Sequence, residues 1–329
     1  PLTTSRGEPS GAIKGFLGML ANVARLSKAD RAAVIFDAPG KTFRHEMYPA
    51  YKANRPPMPE DLRTQIEPLQ GIVRALGWPL LIVPGIEADD VIGTVAKQAE
   101  KEGFEVYMMT PDKDYGQLVS EHIFMYRPRF GGDYEIMGVP EVLGKYGLTS
   151  VDQVIDLLGL MGDSSDNIPG CPGVGEKTAQ KLLAEFGTIE NLLENTDKLK
   201  GSLQKKVMEN MEQIRFSKFL ATIKTDVPIR FDAAKCIREK MNEERLVEIY
   251  TELEFRTFIN RMSGEPEKVK TESKTAPAPA KTGTRKKAAP AGPIQGSLFE
   301  EFATEPTAVP KYSTLANLKS TPHTYHLVD

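Results

Sequence analysis

Cysteine is almost absent from this 329-residue chain, which contains only Cys171 and Cys236. Two cysteines cannot form a disulfide framework or a cysteine-rich zinc site, so we expect a protein of a reducing compartment. The chain also lacks an apolar run of the roughly 20 residues that a membrane-spanning helix needs, and we expect no membrane partner. The net charge of −3 gives no sign of a nucleic-acid binder.

The distribution of the charges is more informative than their sum, because acids and bases occupy separate blocks. The acidic blocks are residues 87–90, 112–114 and 163–166, and the basic blocks are residues 44–55, 177–181 and 198–206. A protein that binds both cations and a polyanion would separate its charges in this way.

Short apolar runs alternate with helical patterns in the first part of the chain. Strands are predicted at residues 33–36, 80–83, 106–109 and 123–126, and helices at residues 60–76 and 88–102. This alternation is typical of an α/β protein with a parallel sheet covered by helices on both faces. We therefore predict an α/β domain in residues 1–138.

The rest of the chain has a different character. Helical patterns without a convincing strand predict a helical subdomain at residues 139–262. Residues 263–311, rich in Gly, Pro, Ala, Ser, Thr and Lys, predict a flexible linker, because they bury too little apolar surface to offset the entropy of ordering. We interpret residues 312–329 as the start of a following domain, and we expect further sequence before Pro1.

Carboxylates follow three of the predicted strands, and the carboxyl ends of parallel strands meet at one edge of a sheet. A fourth set lies on a loop that leads into the helical part. The candidates are Asp37, Glu87, Asp89, Asp90, Asp112, Asp114, Asp163 and Asp166. Helix caps and turns would explain each acid separately, but not their convergence.

Carboxylates that converge repel one another, and they stay ionised together only if cations are present. Oxygen ligands without histidine or cysteine select Mg²⁺ or Mn²⁺. Two such ions, about 3.5–4 Å apart, suit the in-line displacement of a phosphoryl group. The acids therefore predict a site for two divalent ions.

Bases and tyrosines alternate in TFRHEMYPAYKANRPP, residues 42–57. Arg44, Lys52 and Arg55 could contact phosphates, and Tyr51 could stack on an unpaired base. A solvated helix face is the plainer alternative. The Pro-Pro that follows and the preceding Asp37 favour a loop or arch over the acids.

A glycine-rich turn and a helix are predicted in PGCPGVGEKTAQKLLAEFG, residues 169–187. Gly173 and Gly175 permit a tight turn, and the N–H groups at the start of the next helix can bind a phosphate. Lys177 and Lys181 lie one helical turn apart on the same face. An ordinary helix–helix turn is the alternative, but the agreement of glycines, helix start and lysines favours a helix-hairpin-helix that binds DNA. Thr178 belongs to the same candidate surface.

Five segments together carry a family resemblance. In chain order they are FDAPGKTFRHEMYPAYKANRPPMPEDL, GIEADDVIGTVA, TPDKDYGQL, LMGDSSDNIPGCPGVGEKTAQKLL and LATIKTDVPI. They resemble the 5′–3′ exonuclease domains of bacterial DNA polymerase I, members of the flap-endonuclease family, over about residues 1–260. The resemblance implies a PIN-like nuclease core with a helix-hairpin-helix subdomain, in the bacterial cytoplasm. It also implies cleavage of flaps, nicks, 5′ ends and RNA primers on DNA, with two Mg²⁺ ions that Mn²⁺ can replace.

Residue roles follow from the same resemblance. Lys52 and Arg55 would contact the scissile phosphate, Tyr51 would stack on the substrate, and the region from Gly173 to Lys181 would hold the duplex and a K⁺ ion. One metal cluster would use Asp37, Glu87, Asp89, Asp90 and Asp112, and the other Asp114, Asp163 and Asp166. The family opens with a central strand ending in an aspartate that this sequence lacks, so we expect the chain alone to be weak or inactive.

An apolar pair stands out in the predicted linker. Gln295, Leu298 and Phe299 resemble the short peptide by which bacterial repair proteins bind the sliding clamp, with Leu298 and Phe299 as pocket anchors. A chance apolar patch that packs on the protein itself is an equally good explanation.

Two functions remain open on the sequence alone. The first is a metal-dependent 5′ nuclease of replication and repair, and the second is a non-catalytic module that binds particular DNA structures. A small-molecule phosphatase would explain the acids, but neither the arch nor the helix-hairpin-helix.

Overall fold

The structure is a computed structural model that describes residues 2–26, 29–128 and 134–262. The predicted linker, the segment at residues 312–329 and the motif of Gln295, Leu298 and Phe299 lie outside the described residues. Within the described ranges, no helix is both long and apolar enough to cross a bilayer.

Strands and helices alternate in the first part of the chain, which confirms the α/β prediction. The elements are α1 (Gly11–Leu26), β1 (Val34–Phe36), α2 (Phe43–Met47), α3 (Glu60–Ala75), β2 (Leu80–Ile82), α4 (Ala88–Lys101), β3 (Val106–Met109), β4 (Ile123–Pro128) and β5 (Tyr134–Met137). β1 pairs with β2 in parallel, and β3 pairs with β4 in parallel. All four predicted strands are therefore confirmed to within two residues at each end.

Strand β5 is the element that the sequence does not predict. It pairs with β4 in antiparallel orientation, so the described strands form two sheets, β1–β2 and β3–β4–β5, rather than one parallel sheet. An antiparallel neighbour needs no crossover helix, and a four-residue segment with a charged residue gives little periodic signal.

The second part of the chain is helical, as predicted. It contains α5 (Val139–Tyr146), α6 (Gln153–Met161), α7 (Glu176–Phe186), α8 (Ile189–Glu194), α9 (Gly201–Glu209), α10 (Met211–Ala221), α11 (Glu243–Glu252) and α12 (Arg256–Met262). Helix α6 packs against both α7 and α10. Its Leu157 belongs to a core that also contains Met108 and Met125 of the sheet, so these helices share one core with β3 and β4.

A second core joins the last helices to the first ones. Leu246 and Tyr250 of α11 pack with Ile13 of α1 and Ile72 of α3, and all four side chains are fully buried. Helices α11 and α12 thus contact the first part of the chain, and the predicted domain boundary at residue 138 stays a prediction.

The second core predicts that α11 contributes strongly to stability. We expect Leu246→Ala to lower the free energy of unfolding by about 2–5 kcal/mol, since it removes a buried side chain and leaves a cavity. Leu62→Ala on α3 is the control, because Leu62 is 40% exposed and should cost about 0.5 kcal/mol or less. Urea unfolding followed by circular dichroism measures both, and equal losses would contradict the packing.

Candidate active site

The ends of β1, β2 and β3 bring carboxylates into one region. Asp37 follows β1, and its Oδ1 accepts a hydrogen bond from the N–H of Ala88, at the start of α4 (2.8 Å). Asp89 accepts a hydrogen bond from the Tyr115 hydroxyl (2.6 Å). Burial raises the pKa of Asp89, and the negative charges of Asp112 and Asp37 add to this rise. The acids after the three strands therefore share one electrostatic environment.

A second set of acids lines a cavity of about 510 Å³. It consists of Asp112, Asp114, Asp163 and Asp166. The Oδ1 atom of Asp114 is buried and has no hydrogen-bond partner among the described residues. Burial, and then the charges of Asp112 and Asp163, raise the pKa of Asp114 to about 7. An oxygen in this position is suited to a cation.

Two backbone hydrogen bonds join the ends of the loop that carries Asp163. The N–H of Asp163 donates to the carbonyl of Ile168 (3.0 Å), and the N–H of Ile168 donates back to Asp163 (2.8 Å). The flanking Gly162 and Gly170 have φ angles of 71° and 61°. A Cβ on Gly162 would lie 2.5 Å from the Ile168 carbonyl oxygen, so only glycine permits this approach.

Lys113, between Asp112 and Asp114 in sequence, neutralises the carboxylate of this loop. Its Nζ lies 2.7 Å from Asp163 Oδ2. The N–H and hydroxyl of Ser165 donate to Asp163 Oδ1 at 2.7 and 2.6 Å. Burial alone would raise the pKa of Asp163, but the hydrogen bonds from Lys113 and Ser165 hold it below its ordinary value.

Lys52 and Arg55 neutralise two further acids. Lys52 Nζ lies 3.2 Å from Glu87 Oε1 and 3.6 Å from Asp166 Oδ2, and Arg55 is ion-paired with Asp166. The backbones of the two segments are also joined, since the N–H of Lys52 donates to the carbonyl of Asp166 (2.9 Å). The basic segment and the Asp163 loop are thus held together by charge and by backbone hydrogen bonds.

Metal ligands were a central expectation for these acids. Within residues 2–26, 29–128 and 134–262, no three His, Cys, Asp or Glu side chains are arranged to enclose a metal ion. Lysine and arginine groups instead contact several of the oxygens that would coordinate one. The chemistry of the donors, which are all carboxylates, and the unpartnered oxygen of Asp114 fit a hard divalent cation.

Arg44 and Asp90 require a correction, because they face the interior. Arg44 donates to both oxygens of Asp90 (2.7 and 2.8 Å), to Glu87 (2.9 Å), and to the carbonyls of Leu220 and Thr222 (3.0 and 2.7 Å). Arg44 is 3% exposed and Asp90 is 0% exposed. The predictions that Arg44 contacts DNA and that Asp90 binds metal are therefore wrong for this structure. Both side chains are enclosed in a structural ion pair.

Tyr51 is also placed differently from its prediction. The side chain is buried, and its hydroxyl donates to Glu87 (3.2 Å) and Asp166 (3.1 Å). Burial raises the pKa of Tyr51, and the charges of Glu87 and Asp166 raise it further. The ring is not exposed for stacking on a base, so its stacking role is wrong here. Tyr51 instead orients two of the acids.

The glycine-rich turn leads into a helix with an exposed basic face. Gly173 has a φ of 75°, and Gly175 precedes α7. Lys177 and Lys181 are exposed on α7, whereas Thr178 is half-buried. These residues lie where the helix-hairpin-helix prediction puts them.

Several residues near the site are not predicted from the sequence. The bases Lys113, Arg127 and Lys145, together with Tyr146, line the acidic cavity. Lys206 of α9 approaches the glycine turn, since its Nζ would lie 2.5 Å from a Cβ on Gly173. Arg127, Lys145 and Tyr146 come from β4 and α5, which carry no motif, so no signal in the sequence selects them. Lys206 lies in a basic block but has no distinguishing pattern there.

Comparison with known proteins agrees with this architecture. A sequence model described as the 5′–3′ exonuclease N-terminal resolvase-like domain matches residues 1–147, and one for the 5′–3′ exonuclease C-terminal SAM fold matches residues 149–244. The chain belongs to the 5′–3′ exonuclease family. The predicted resemblance and the predicted combination of an α/β core with a helical subdomain are thereby confirmed.

Relatives within the 5′–3′ exonuclease family include much longer proteins. DNA polymerase I of Pseudomonas aeruginosa is 47% identical over 268 residues, which are 79% of this chain and 29% of that protein. Thermostable DNA polymerase I of Thermus aquaticus is 43% identical over 259 residues, which are 79% of this chain and 30% of that protein. The chain thus spans about three tenths of the length of these relatives.

Solved structures share the 5′–3′ exonuclease fold at low identity. The zinc-bound T5 5′-exonuclease has a TM-score of 0.57 and 20% identity, and the match covers 73% of this chain and 90% of that one. The catalytic core of Rad2 in complex with DNA substrate has a TM-score of 0.52 and 17% identity, with 77% and 82% covered. These likenesses support the fold.

Replacing the buried Arg44 should lower stability more than replacing the half-exposed Arg55. We expect Arg44→Gln to lower the free energy of unfolding by about 3–5 kcal/mol, because it removes the positive charge that neutralises the buried Asp90 and leaves the Lys224 N–H as a neutral donor to it. Arg55→Gln, the matched change in a half-exposed ion pair, should cost about 1 kcal/mol or less. Chemical unfolding of both variants checks this. A stable Arg44→Gln variant would show that the pair is not structural.

Proposed function

We propose that this chain is a metal-dependent 5′ nuclease that hydrolyses phosphodiester bonds at flaps, nicks and 5′ ends of DNA, and in RNA primers on DNA. We further propose that it acts as the 5′–3′ exonuclease domain of a DNA polymerase I in the bacterial cytoplasm. Membership of the 5′–3′ exonuclease family supports the reaction class.

One observation carries the proposal. Acids from separate stretches of the chain meet at the ends of β1, β2 and β3 and at the Asp163 loop, beside a helix whose lysines face solvent. Neither a helix cap nor a fold-stabilising ion pair requires this concentration of carboxylates, since mutual repulsion makes it unfavourable. Binding of divalent ions to these oxygens explains why they lie together.

Asp37, Asp89 and Asp112, with Glu87 beside them, would hold one Mg²⁺ ion. Asp114, Asp163 and Asp166 would hold a second, and Mn²⁺ would replace either. The chemistry that two such ions supply is activation of a water molecule and stabilisation of the leaving oxygen.

The bases of the site would act on the substrate. Lys52 and Arg55 contact carboxylate oxygens that cations would also occupy. Once released, both side chains are free to bind the phosphate at the cleaved bond. Tyr51, held between Glu87 and Asp166, would keep those carboxylates oriented.

The exposed face of α7 would bind the duplex. Lys177, Thr178 and Lys181 would contact backbone phosphates, and such contacts position DNA without reading its sequence. The turn at Gly173 and Gly175 would bind K⁺. Clamp binding through Gln295, Leu298 and Phe299 remains a further proposal.

A second candidate function is binding of DNA structures without catalysis. The contacts of Lys52 and Lys113 with the acids favour it, because the described residues satisfy much of their own negative charge. Cleavage of a flap substrate in Mg²⁺ by the chain joined to the family's leading strand separates the two candidates, since the binding module would leave the DNA intact.

Asp112→Asn should separate chemistry from binding. In the chain joined to the family's leading strand, we expect flap cleavage in Mg²⁺ to fall at least about 100-fold, because loss of a metal ligand removes several kcal/mol of transition-state stabilisation. Affinity for the DNA should be kept or increased, since a negative charge is lost. Asp197→Asn, an exposed acid remote from the cavity, is the control and should cleave normally. Equal cleavage by both variants would remove Asp112 from the site.

Asp114 should show opposite effects with and without metal. Asp114→Asn removes a buried, unpartnered charge, so the metal-free melting temperature should rise by a few degrees. Mn²⁺ should raise the melting temperature of the wild type by binding to the folded state, and this rise should shrink in Asp114→Asn. Thermal unfolding with Asp197→Asn as control checks both. An undiminished Mn²⁺ effect would place the ion elsewhere.

A further inference from the structure

The acidic cavity is also lined by two positive side chains that the proposed reaction does not use. Arg127 comes from β4, and Lys145 comes from the end of α5, next to the neutral Tyr146. The cavity of about 510 Å³ falls within the range of about 300–1,000 Å³ that is usual for ligand sites. A cavity of this volume could hold a ligand in addition to cations bound to the acids.

Arg127 contacts two uncharged groups, and Glu135 of β5 lies opposite it in the sheet. Its Nη2 donates to the carbonyl of Pro111 (3.1 Å), and its Nη1 lies 3.5 Å from the sulfur of Met137. Its Nε is buried without a hydrogen-bond partner among the described residues. The unpartnered Nε is the observation that points to a further acceptor, such as an anion.

Lys145 adds a second positive charge near the first. Burial lowers the pKa of its amine, and the charge of Arg127 lowers it further, while Glu135 and Glu176 offset part of this effect. The amine lies 5.1 Å from the centre of the Tyr146 ring, which adds a cation–π contact. Two neighbouring cations are stabilised when one anion accepts hydrogen bonds from both.

The position of this pair connects the acids to the helix-hairpin-helix. The Tyr146 carbonyl accepts a hydrogen bond from Gln180 of α7 (2.8 Å), and Glu176, the first residue of α7, lines the same cavity. Helix α7 also carries the exposed Lys177 and Lys181. A DNA strand that runs from α7 to the acids passes Arg127 and Lys145.

We propose that Arg127 and Lys145 together bind one backbone phosphate of the cleaved strand, between the cleaved bond and the duplex held by α7. The inference rests on the proposed function, because it takes DNA as the ligand. It adds a phosphate-binding subsite that would set the position of the strand relative to the acids.

The test is binding of a fluorescent 5′-flap DNA without divalent ions, which prevents cleavage. We expect the variant Arg127→Gln/Lys145→Gln to bind at least about tenfold more weakly at moderate salt, a loss of about 1.4 kcal/mol. The slope of log affinity against log salt concentration should fall in magnitude by about 0.9, the value for one duplex phosphate. Lys145→Gln alone, at an exposed position, guards against misfolding and should show part of both effects.

Neutral methylphosphonates at single positions of the cleaved strand locate the contact. At one position the substitution should weaken the wild type but not the double variant, because both changes remove the same interaction. The control Lys235→Gln/Arg245→Gln removes the same charge from exposed sites outside the cavity. Its binding should respond to the methylphosphonate as the wild type does.

The outcomes separate this inference from the proposed function. If the wild type binds the flap but the double variant keeps its affinity and salt slope, the subsite is wrong and the proposed function stands. Additive effects at every methylphosphonate position would also overturn the subsite. If the wild type does not bind flap DNA at all, both proposals fail.

Discussion

Repulsion among carboxylates is the constraint on which the candidate site depends. Asp112, Asp114 and Asp163 line one cavity, and the buried oxygen of Asp114 has no partner among the described residues. Charges of one sign at this density must be balanced, either by the chain or by bound ions. Here the chain supplies part of the balance through Lys113 and Lys52. Under the proposed function, divalent ions would replace these lysines at the same carboxylates.

Exposure distinguishes exchangeable ion pairs from permanent ones. The side chains of Lys52, Lys113 and Arg55 are 20%, 39% and 51% exposed, whereas that of Arg44 is 3% exposed. The released side chains of Lys113 and Arg55 would be solvated by water, but Glu87 and Asp163, whose side chains are 7% and 6% exposed, would need another cation in their place. Arg44 cannot leave Asp90 without stranding a charge in the interior. Acids that look alike in the sequence thus differ in the structure. Asp90 forms a buried ion pair, whereas Asp163 and Asp166 pair with partly exposed bases.

The sequence predicts β1 to β4 and the helices between them because each strand is a continuous apolar run bounded by turn residues. It also predicts that acids gather after these strands, since topology alone puts strand ends at one edge. Strand β5 is missed because its pairing with β4 depends on a hairpin and not on its own pattern.

Errors at the site have one physical origin, which is that sequence does not reveal which charges are buried. Arg44 stands in a basic block and Asp90 in an acidic one, yet the two neutralise each other inside the protein. Tyr51 stands among bases and is enclosed between acids. Arg127 and Lys145 have no motif and meet only in the folded chain.

The ion pair of Arg44 also ties together three parts of the fold. Arg44 belongs to α2, Asp90 to α4, and the carbonyls that Arg44 contacts lie at the end of α10. A tilt of the helical part away from the strand ends would break the contacts of Arg44 with that part. This ion pair therefore restrains the position of the helical part relative to the acids at the strand ends. Under the proposed function, such a restraint would make the cut fall a constant number of nucleotides from the junction, whatever the base sequence.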